Sequence, residues 1–247
     1  MTDCNPTKTP MEKNLVVSRD GESTQEPYRE LLGTIMYVML CTRSDLCFPV
    51  GFLGRYQQNP TVNHWQCLKR IVRYLKGTKT KHLKFVRDES AEALVGYVDA
   101  DWASDAEDRK SVSGYLFTVF GNPVSWSSKK QVTVATSSSE AEYVSLSSAV
   151  SEAIWLSGVM EDLQLKRPAD PVVIFEDNQG AIGMAKNCES KRSKHIDIKH
   201  HFIRDHIANG RVAVKYISTE KQLADLFTKP VDAVRMEKLC QGFGMAD

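Results

Sequence analysis

The sequence has no apolar run long enough to cross a bilayer, no paired-cysteine motif and no secretory or targeting segment at its start. Its most apolar stretch, residues 31–40, is about half the length that a membrane helix needs, and Arg43 and Asp45 follow at once. The six cysteines are scattered without C-x-x-C spacing, which favours reduced thiols. We therefore expect a soluble intracellular protein, in the cytoplasm or the nucleus.

A large charge of one sign is also missing. Lys and Arg total 32 against 31 Asp and Glu, so the net charge of +1 neither implies nor excludes nucleic acid as a partner. The 247 residues, 42% of them hydrophobic, are enough for one substantial core or for two smaller domains.

The first 90 residues predict an extended lead-in followed by helices. Residues 1–27 lack apolar periodicity. Residues 28–90 predict three helices, from Tyr28 to about Cys41, from an N-cap at Ser44-Asp45 to before Asn59, and from after Thr61 to Gly77, with a strand at 82–86.

A basic run lies within this region. Residues 62–87 hold eight Lys and Arg and no acid, backed by an apolar helix face. A solvated helix face is the simpler interpretation. Because the run is one-signed, we expect contact with a phosphate backbone through Lys69, Arg70, Arg73 and Lys76.

Residues 91–230 predict a second domain of the α/β class. Strand patterns at 93–99, 113–120 and 123–128 precede a long helix at about 138–163. A strand at 172–175, helices near 178–185 and 195–208, a strand at 212–217 and a helix around 222–228 follow. This order describes a mixed five-stranded sheet with flanking helices. Residues 231–247 form a C-terminal amphipathic tail.

Four carboxylates fall at the ends of these elements: Asp99, Glu142, Asp177 and Asp225. Each alone is more simply a turn or cap residue. Because such ends converge on one edge of a sheet of this topology, together they predict a site where hard oxygen donors hold two Mg²⁺ ions.

Neighbouring acids compete for these roles. Glu140 and Glu142 are two residues apart on a helix, so both cannot face one site. Ser137 and Glu140 fit a capping box, which assigns the structural role to Glu140 and the metal to Glu142. Asp101 and Asp105 are less well separated from Asp99 and stay open as alternatives.

These residues stand in motifs that closely resemble the pol polyproteins of copia-type LTR retrotransposons. The motifs are Gly96-Tyr97-Val98-Asp99-Ala100-Asp101-Trp102-Ala103, Asp108-Arg109-Lys110-Ser111, Ser137-Ser138-Ser139-Glu140-Ala141-Glu142-Tyr143, Glu176-Asp177-Asn178-Gln179-Gly180, Lys194-His195-Ile196-Asp197-Ile198 and Gln222-Leu223-Ala224-Asp225-Leu226-Phe227-Thr228-Lys229-Pro230. Residues 28–90 resemble the thumb and connection region of the reverse transcriptase. Thr42-Arg43-Ser44-Asp45 departs from the family, which usually has Pro before the Asp.

The resemblance implies a C-terminal fragment that contains the end of the reverse transcriptase and an RNase H domain. Its metal-binding carboxylates match Asp99, Glu142, Asp177 and Asp225. It implies two Mg²⁺ ions, replaceable by Mn²⁺, and hydrolysis of the RNA strand of an RNA–DNA hybrid to 5′-phosphate and 3′-hydroxyl ends. Asp99 would bridge both ions, with Asp225 on one, and Glu142 and Asp177 on the other.

The same resemblance implies partners and a setting. The partners are the RNA–DNA hybrid and the rest of the pol polyprotein, and the setting is a virus-like particle in the cytoplasm. No membrane is implied. The Tyr-Val-Asp-Asp polymerase motif is missing from the sequence, so we expect no DNA synthesis.

Further nucleic-acid contacts are expected near the carboxylates. Discrimination against DNA must use the 2′-hydroxyl, for which Gln179, Thr136 and Ser137 are candidates, each equally a turn or cap residue. A basic segment adds Arg192, Lys194 and His195 as candidate contacts, with a solvated loop as the alternative. Cys188 with the four histidines His195, His200, His201 and His206 matches no closed zinc set, although zinc is a minor alternative.

Three other functions remain open. A transposase or integrase would carry its essential Glu last, on a late helix, whereas here the Glu comes second among the carboxylates. A catalytically idle nucleic-acid-binding remnant would be expected to lose a carboxylate, and all four are present. The third is a structural role as the thumb and connection module of a parent enzyme.

Overall fold

The computed structural model describes residues 3–13, 15, 17–88, 90–165, 170–186 and 197–246, without the side chains at 197, 198 and 200. The chain divides into two compact units. Unit 1 comprises residues 1–84 and 229–247, and unit 2 comprises residues 85–228. The divisions predicted from the sequence, at 90/91 and 230/231, stay predictions. No helix among the described residues is both long enough and apolar enough to cross a membrane.

Three helices form most of unit 1. They are α1 (Tyr28–Cys41), α2 (Cys47–Gly54) and α3 (Val62–Gly77), which confirms the three helical patterns. Thr61 caps α3, since its hydroxyl accepts a hydrogen bond from the backbone N–H of His64, and the His64 ring accepts one from the backbone N–H of Thr61.

The predicted N-cap at Ser44-Asp45 is wrong. Ser44–Leu46 forms a 3-10 turn before α2 without a side-chain cap. The Asp45 carboxylate, fully buried, accepts hydrogen bonds from Arg43 at 3.0 and 2.8 Å and from the Tyr74 hydroxyl at 2.7 Å. Arg43 also donates to the carbonyl of Thr78 at 3.0 Å. A buried carboxylate needs such partners, and this cluster binds the turn before α2 to α3.

The C-terminal residues of unit 1 are paired with its helical part. The expected strand at 82–86 is confined to β1 (His82–Leu83), which pairs antiparallel with β7 (Met245–Ala246). Helix α7 (Ala233–Gly242) lies between, and its Glu237 accepts a 2.7 Å hydrogen bond from the buried Lys81. The amphipathic tail therefore belongs to the packing of unit 1.

Unit 2 contains a mixed five-stranded sheet in the order β4-β3-β2-β5-β6. Its strands are β2 (Leu94–Asp101), β3 (Val112–Val119), β4 (Asn122–Lys130), β5 (Val172–Glu176) and β6 (Val212–Tyr216). The first three are antiparallel, while β5 and β6 run parallel to β2. This arrangement confirms the expected RNase H-like α/β fold.

Helices α4 (Ser138–Asp162), α5 (Gln179–Lys186) and α6 (Asp197–Ala208) accompany this sheet. The core lies where α4 packs against the sheet, with Val98, Leu146 and Ile174 fully buried there. Because α4 is buried along its length against β2 and β3, its first turns are held at the sheet.

The helix expected around residues 222–228 is wrong in type. Two 3-10 turns, Thr219–Lys221 and Leu223–Phe227, stand in its place. Gln222 separates them with extended backbone, and its side chain accepts a 3.2 Å hydrogen bond from the N–H of Ala224. The Gln222 side chain therefore caps the start of the second 3-10 turn.

Candidate metal centre

Asp99 and Asp177 occupy equivalent positions along the neighbouring parallel strands β2 and β5 of unit 2. Strands β2 and β5 pair Tyr97 with Phe175, and their rings stack with centroids 5.4 Å apart. Asp99 follows Tyr97 by two residues, and Asp177 follows Phe175 by two. The parallel register therefore brings the two acids to one edge of the sheet.

The third carboxylate comes from α4. Ser137 caps this helix by accepting a 3.2 Å hydrogen bond from the N–H of Glu140, and Glu142 follows in its first turns. One carboxylate oxygen each of Asp99, Glu142 and Asp177 lies within 4.8 Å of the others. Asp99 and Glu142 are buried and Asp177 is half-buried. Three hard oxygen donors this close fit a divalent cation such as Mg²⁺.

Glu140 has the structural role that its position predicts. Its carboxylate accepts hydrogen bonds from the backbone N–H of Thr136, at 2.9 Å, and from the Thr136 hydroxyl. It lies outside the group of three carboxylates. The capping interaction reaches one residue further back than the predicted box, to Thr136 instead of Ser137.

Asp225 lies outside that group as well. It is buried in the 3-10 turn Leu223–Phe227, which packs against β2 and β3. The Thr228 hydroxyl connects it to the site, since this hydroxyl donates to the carboxylate of Asp99 and approaches the backbone carbonyl of Asp225 at 3.2 Å. The assignment of Asp225 as a metal ligand stays a prediction.

Several side chains that the sequence did not single out hold the acids in place. The Ser145 hydroxyl donates to the backbone carbonyl of Asp99 at 2.8 Å, and that of Thr219 donates to the Asp177 carboxylate at 2.7 Å. The buried Gln222 amide donates to the carbonyl of Val98 at 2.9 Å. Gln222 begins one of the recognised motifs, whereas Ser145 and Thr219 belong to none of them. The partners of these side chains lie 42 to 124 residues away along the chain.

A fifth carboxyl group, Glu176, was also missed. It is fully buried, and its Oε1 accepts a 2.9 Å hydrogen bond from the N–H of Asn178. Burial raises the pKa of Glu176 well above its usual value, and the nearby charges of Asp99 and Asp177 add to this effect. The signal in the sequence was its place as the last residue of a buried strand.

Asp105 and Asp101, the two alternatives to Asp99 as a metal ligand, have different positions in the structure. Asp105 accepts a 2.5 Å hydrogen bond from Lys130 and a 2.9 Å hydrogen bond from the backbone N–H of Glu107, which makes it part of the loop after β2. Asp101 ends β2 and is half-buried. Neither belongs to the group of three carboxylates.

The basic residues predicted to contact phosphate interact with other residues of unit 1. Lys69, Arg70, Arg73 and Lys76 belong to α3 in unit 1, and three of them hold the lead-in. Arg70 binds Glu12 at 2.7 Å, while Arg73 and Lys76 donate to backbone carbonyls of Asn5 and Cys4 at 2.6 and 2.7 Å. Lys69 lies over the ring of Trp65 at 5.9 Å. Their phosphate contacts stay predictions.

Other candidates are partly outside the described residues. Gln179 is exposed at the first position of α5. Arg192, Lys194, His195 and Cys188 fall outside the described part of the chain, as does the side chain of His200. Within the described part, the carboxylate trio is the one group of three or more His, Cys, Asp or Glu side chains close enough to share a metal ion.

Relatives of the chain include retrotransposon polyproteins. No family model matches it. The Retrovirus-related Pol polyprotein from transposon TNT 1-94 of Nicotiana tabacum is 38% identical over 251 residues, which cover 98% of this chain and 18% of that polyprotein.

The chain belongs to the copia-type Pol polyprotein family.

Two other proteins are similar to about half of this chain. The Secreted RxLR effector protein 161 of Plasmopara viticola is 54% identical over 131 residues, which cover 53% of this chain and 92% of that protein. A solved RNase H1, LC11, in complex with RNA/DNA hybrid covers 55% of this chain and 93% of its own at 21% identity, with a TM-score of 0.39. A score this low supports no conclusion, so the RNase H-like assignment of unit 2 rests on the strand order of its sheet.

As a member of the Pol family, the chain spans about a fifth of the length of its tobacco relative. Unit 2 is its RNase H-like domain. Three of the four carboxylates that the family resemblance pointed to, from a strand, a helix and the residue after another strand, come together in this domain.

Gly114 permits the close approach of the turn that carries Asp225. It pairs with Asp99 across β2 and β3, and a Cβ at this position would meet Thr228 at 2.7 Å and Phe227 at 2.8 Å. We expect Gly114→Ala to lower the free energy of unfolding by about 1–3 kcal/mol, because both neighbours are buried. Urea denaturation measures this loss.

A matched glycine on α5 provides the control for Gly114→Ala. A Cβ at Gly183 would meet nothing within 4 Å, so Gly183→Ala should leave stability unchanged or raise it by up to about 1 kcal/mol. Equal stability of the two variants would contradict the close packing at Gly114.

Lys130 forms ion pairs with Asp105 and Asp108 in the loop after β2. Burial acts to raise the pKa of Asp108, but hydrogen bonds from Lys130 and Lys110 outweigh it and lower the pKa to about 2. The carboxylate therefore contributes stability above its unfolded pKa of about 3.9, and this contribution is lost as the pH falls through about 2. We expect Lys130→Gln to raise the pKa of Asp108 towards its usual value, as measured by NMR titration of the side-chain carboxyl.

Lys129 is exposed and adjacent, so Lys129→Gln should leave that pKa where it is. A pKa of Asp108 that stays near 2 in Lys130→Gln would show that the lysine does not hold the loop.

Proposed function

We propose that the chain is an RNA–DNA hybrid endoribonuclease whose unit 2 cuts the RNA strand and leaves 5′-phosphate and 3′-hydroxyl ends. The observation that carries this proposal is the convergence of Asp99, Glu142 and Asp177 within 4.8 Å at one edge of an RNase H-like sheet. Membership of a Pol family supports it, because reverse transcription produces RNA–DNA hybrids.

The donor set fits hard divalent cations. Asp99, Glu142 and Asp177 would hold Mg²⁺, or Mn²⁺ in its place, and Asp225 would complete a second position beside Asp99. When bound, two such ions activate a water molecule and stabilise the leaving oxygen of an in-line phosphoryl displacement.

The chain's own residues orient these donors. Thr228 donates to the Asp99 carboxylate, and Thr219 donates to that of Asp177. Each hydrogen bond fixes one oxygen of its carboxylate and thereby the direction in which the other oxygen points. Neighbouring groups orient metal ligands through such hydrogen bonds. The Ser145 hydroxyl on α4 donates to the backbone carbonyl of Asp99 on β2. This hydrogen bond helps to keep Glu142 and Asp99 in a fixed relative position.

Selection of RNA requires a contact to the 2′-hydroxyl. Gln179, which is exposed at the start of α5 two residues after Asp177, is our candidate for this contact. The partners in this proposal are the hybrid and the remaining part of the Pol polyprotein, and the setting is a cytoplasmic particle.

Product analysis tests the proposal. Hybrids labelled on either the RNA or the DNA strand are incubated with the whole chain and Mg²⁺, beside a sample in EDTA. We expect RNA fragments with 3′-hydroxyl ends, an intact DNA strand and no products in EDTA. Binding of the hybrid without cleavage would overturn the proposal in favour of a catalytically idle binding remnant.

A further inference from the structure

The loop that joins β2 to β3, residues 102–111, begins three residues after Asp99. Three residues of chain reach at most about 11 Å, so the loop starts beside the carboxylate cluster. It contains Asp108-Arg109-Lys110-Ser111, a motif to which the proposed function gives no role.

Ion pairs hold the loop in one conformation. Lys130, at the end of β4, binds Asp105 at 2.5 Å and Asp108 at 2.9 Å. Asp108 also pairs with Lys110 at 3.3 Å. These ion pairs offset the charges of Asp105 and Asp108 within the protein, and Glu107 is the third acid of the loop.

The backbone of the loop is strained at two positions. Ala103 has φ 50° and Arg109 has φ 55°, a region that residues other than glycine rarely adopt. The N–H of Arg109 donates to the carbonyl of Asp105 at 2.9 Å, which closes the turn. Such strain persists only where surrounding contacts impose it, and it concentrates at functional sites.

This conformation exposes a cation. Arg109 is exposed, and no side-chain partner for it occurs among the residues whose side chains are described. The two lysines of the loop network are engaged with Asp105 and Asp108, so Arg109 is the positive charge that remains available for a phosphate.

The first residue of the loop presents an aromatic face. Trp102 is 47% exposed, although tryptophan is usually well buried. Its indole N–H donates to the carbonyl of Ala135 at 3.0 Å, in the segment that leads to α4 and Glu142. The hydrogen bond fixes the ring between the chain segments that carry Asp99 and Glu142, and it leaves part of the ring open to solvent.

We propose that the β2–β3 loop is a nucleic-acid contact in which the ring of Trp102 packs against a base or sugar and Arg109 pairs with a backbone phosphate. This inference rests on the proposed function for the identity of the ligand. A rigid, exposed ring beside an acidic site gives an attraction for nucleic acid that does not depend on charge. Arg109 adds the phosphate contact that the carboxylates cannot provide.

The two contacts have different salt signatures. Removing a phosphate contact lowers the slope of log affinity against log salt by roughly 0.9, whereas removing a stacking contact lowers affinity equally at every salt concentration. Binding of the whole chain to a labelled RNA–DNA hybrid is measured in EDTA over a range of salt, so cleavage does not enter the measurement.

We expect Trp102→Ala to weaken binding about tenfold at each salt concentration with an unchanged slope. Trp102→Phe keeps an aromatic face and should retain most of the affinity, which separates loss of stacking from loss of folding. Arg109→Gln should reduce the slope by roughly 0.9.

Matched controls lie elsewhere on unit 2. Trp155 is 62% exposed on α4, thirteen residues and about 20 Å beyond Glu142 along the helix. Arg211 is exposed and precedes β6, at the opposite end of the parallel strands from Asp177. Trp155→Ala and Arg211→Gln should bind like the wild type.

If Trp102→Ala and Arg109→Gln bind the hybrid as these controls do, the inference is overturned, even when the wild type cleaves RNA. Loss of binding in both variants of a chain that binds hybrid without cutting it would support the inference while the proposed function fails.

Discussion

Glu142→Gln should lower the rate of RNA cleavage about a thousandfold, because it would remove one anionic ligand of the proposed metal centre and with it roughly 4 kcal/mol of transition-state stabilisation. Glu142 is buried, and its carboxylate lies within 4.8 Å of those of Asp99 and Asp177. Glutamine has nearly the same shape, so the fold should be retained. Single-turnover cleavage of a labelled hybrid in Mg²⁺ measures the effect.

Glu140→Gln is the matched control on the same helix. Glu140 bonds to Thr136 and lies outside the carboxylate group. We expect this variant to cleave RNA within a few-fold of the wild type and to lose about 1 kcal/mol of stability, as for a weakened helix cap. A larger loss of activity in Glu140→Gln than in Glu142→Gln would reverse the roles assigned to the two residues.

Asp45→Ala should lower the free energy of unfolding of unit 1 by about 3–5 kcal/mol, because it leaves the buried charge of Arg43 without its carboxylate. Asp45 is fully buried and accepts hydrogen bonds from Arg43 and Tyr74. Hydrogen exchange measured by mass spectrometry should show lost protection in α1, α2 and α3, because the cluster joins the turn between α1 and α2 to α3.

An exposed aspartate of unit 1 supplies the comparison. The carboxylate of Asp20 is exposed, so Asp20→Ala should change stability by less than about 0.5 kcal/mol. Similar exchange profiles for Asp45→Ala and Asp20→Ala would contradict a structural role for the buried cluster.

The sequence was sufficient to predict most of the helices and strands of both units. The periodicity of α3 and α4 and the short apolar runs of the sheet follow directly from which residues must be buried. The choice of Glu142 over Glu140 also followed from local chemistry, because a capping side chain cannot face the sheet at the same time.

Contacts between segments that are distant in the sequence could not be predicted from local sequence patterns. The N-cap expected at Asp45 failed because its partner Tyr74 lies 29 residues away, and a buried hydrogen-bonded pair outweighs a cap. The helix expected at 222–228 failed because Gln222 bonds to the carbonyl of Val98 on β2. Likewise, a run of basic residues does not reveal that Arg70, Arg73 and Lys76 hold the lead-in.

The central claim is that Asp99, Glu142 and Asp177 form one metal-dependent catalytic centre. The most direct test is a Mg²⁺ titration of hybrid cleavage by the whole chain, beside the variant Asp177→Asn. We predict that cleavage of the RNA strand by the wild type rises to saturation with Mg²⁺, and that Asp177→Asn binds the hybrid but does not cut it at any concentration. Cleavage by Asp177→Asn at the wild-type rate, or cleavage by the wild type without a divalent cation, would contradict the account.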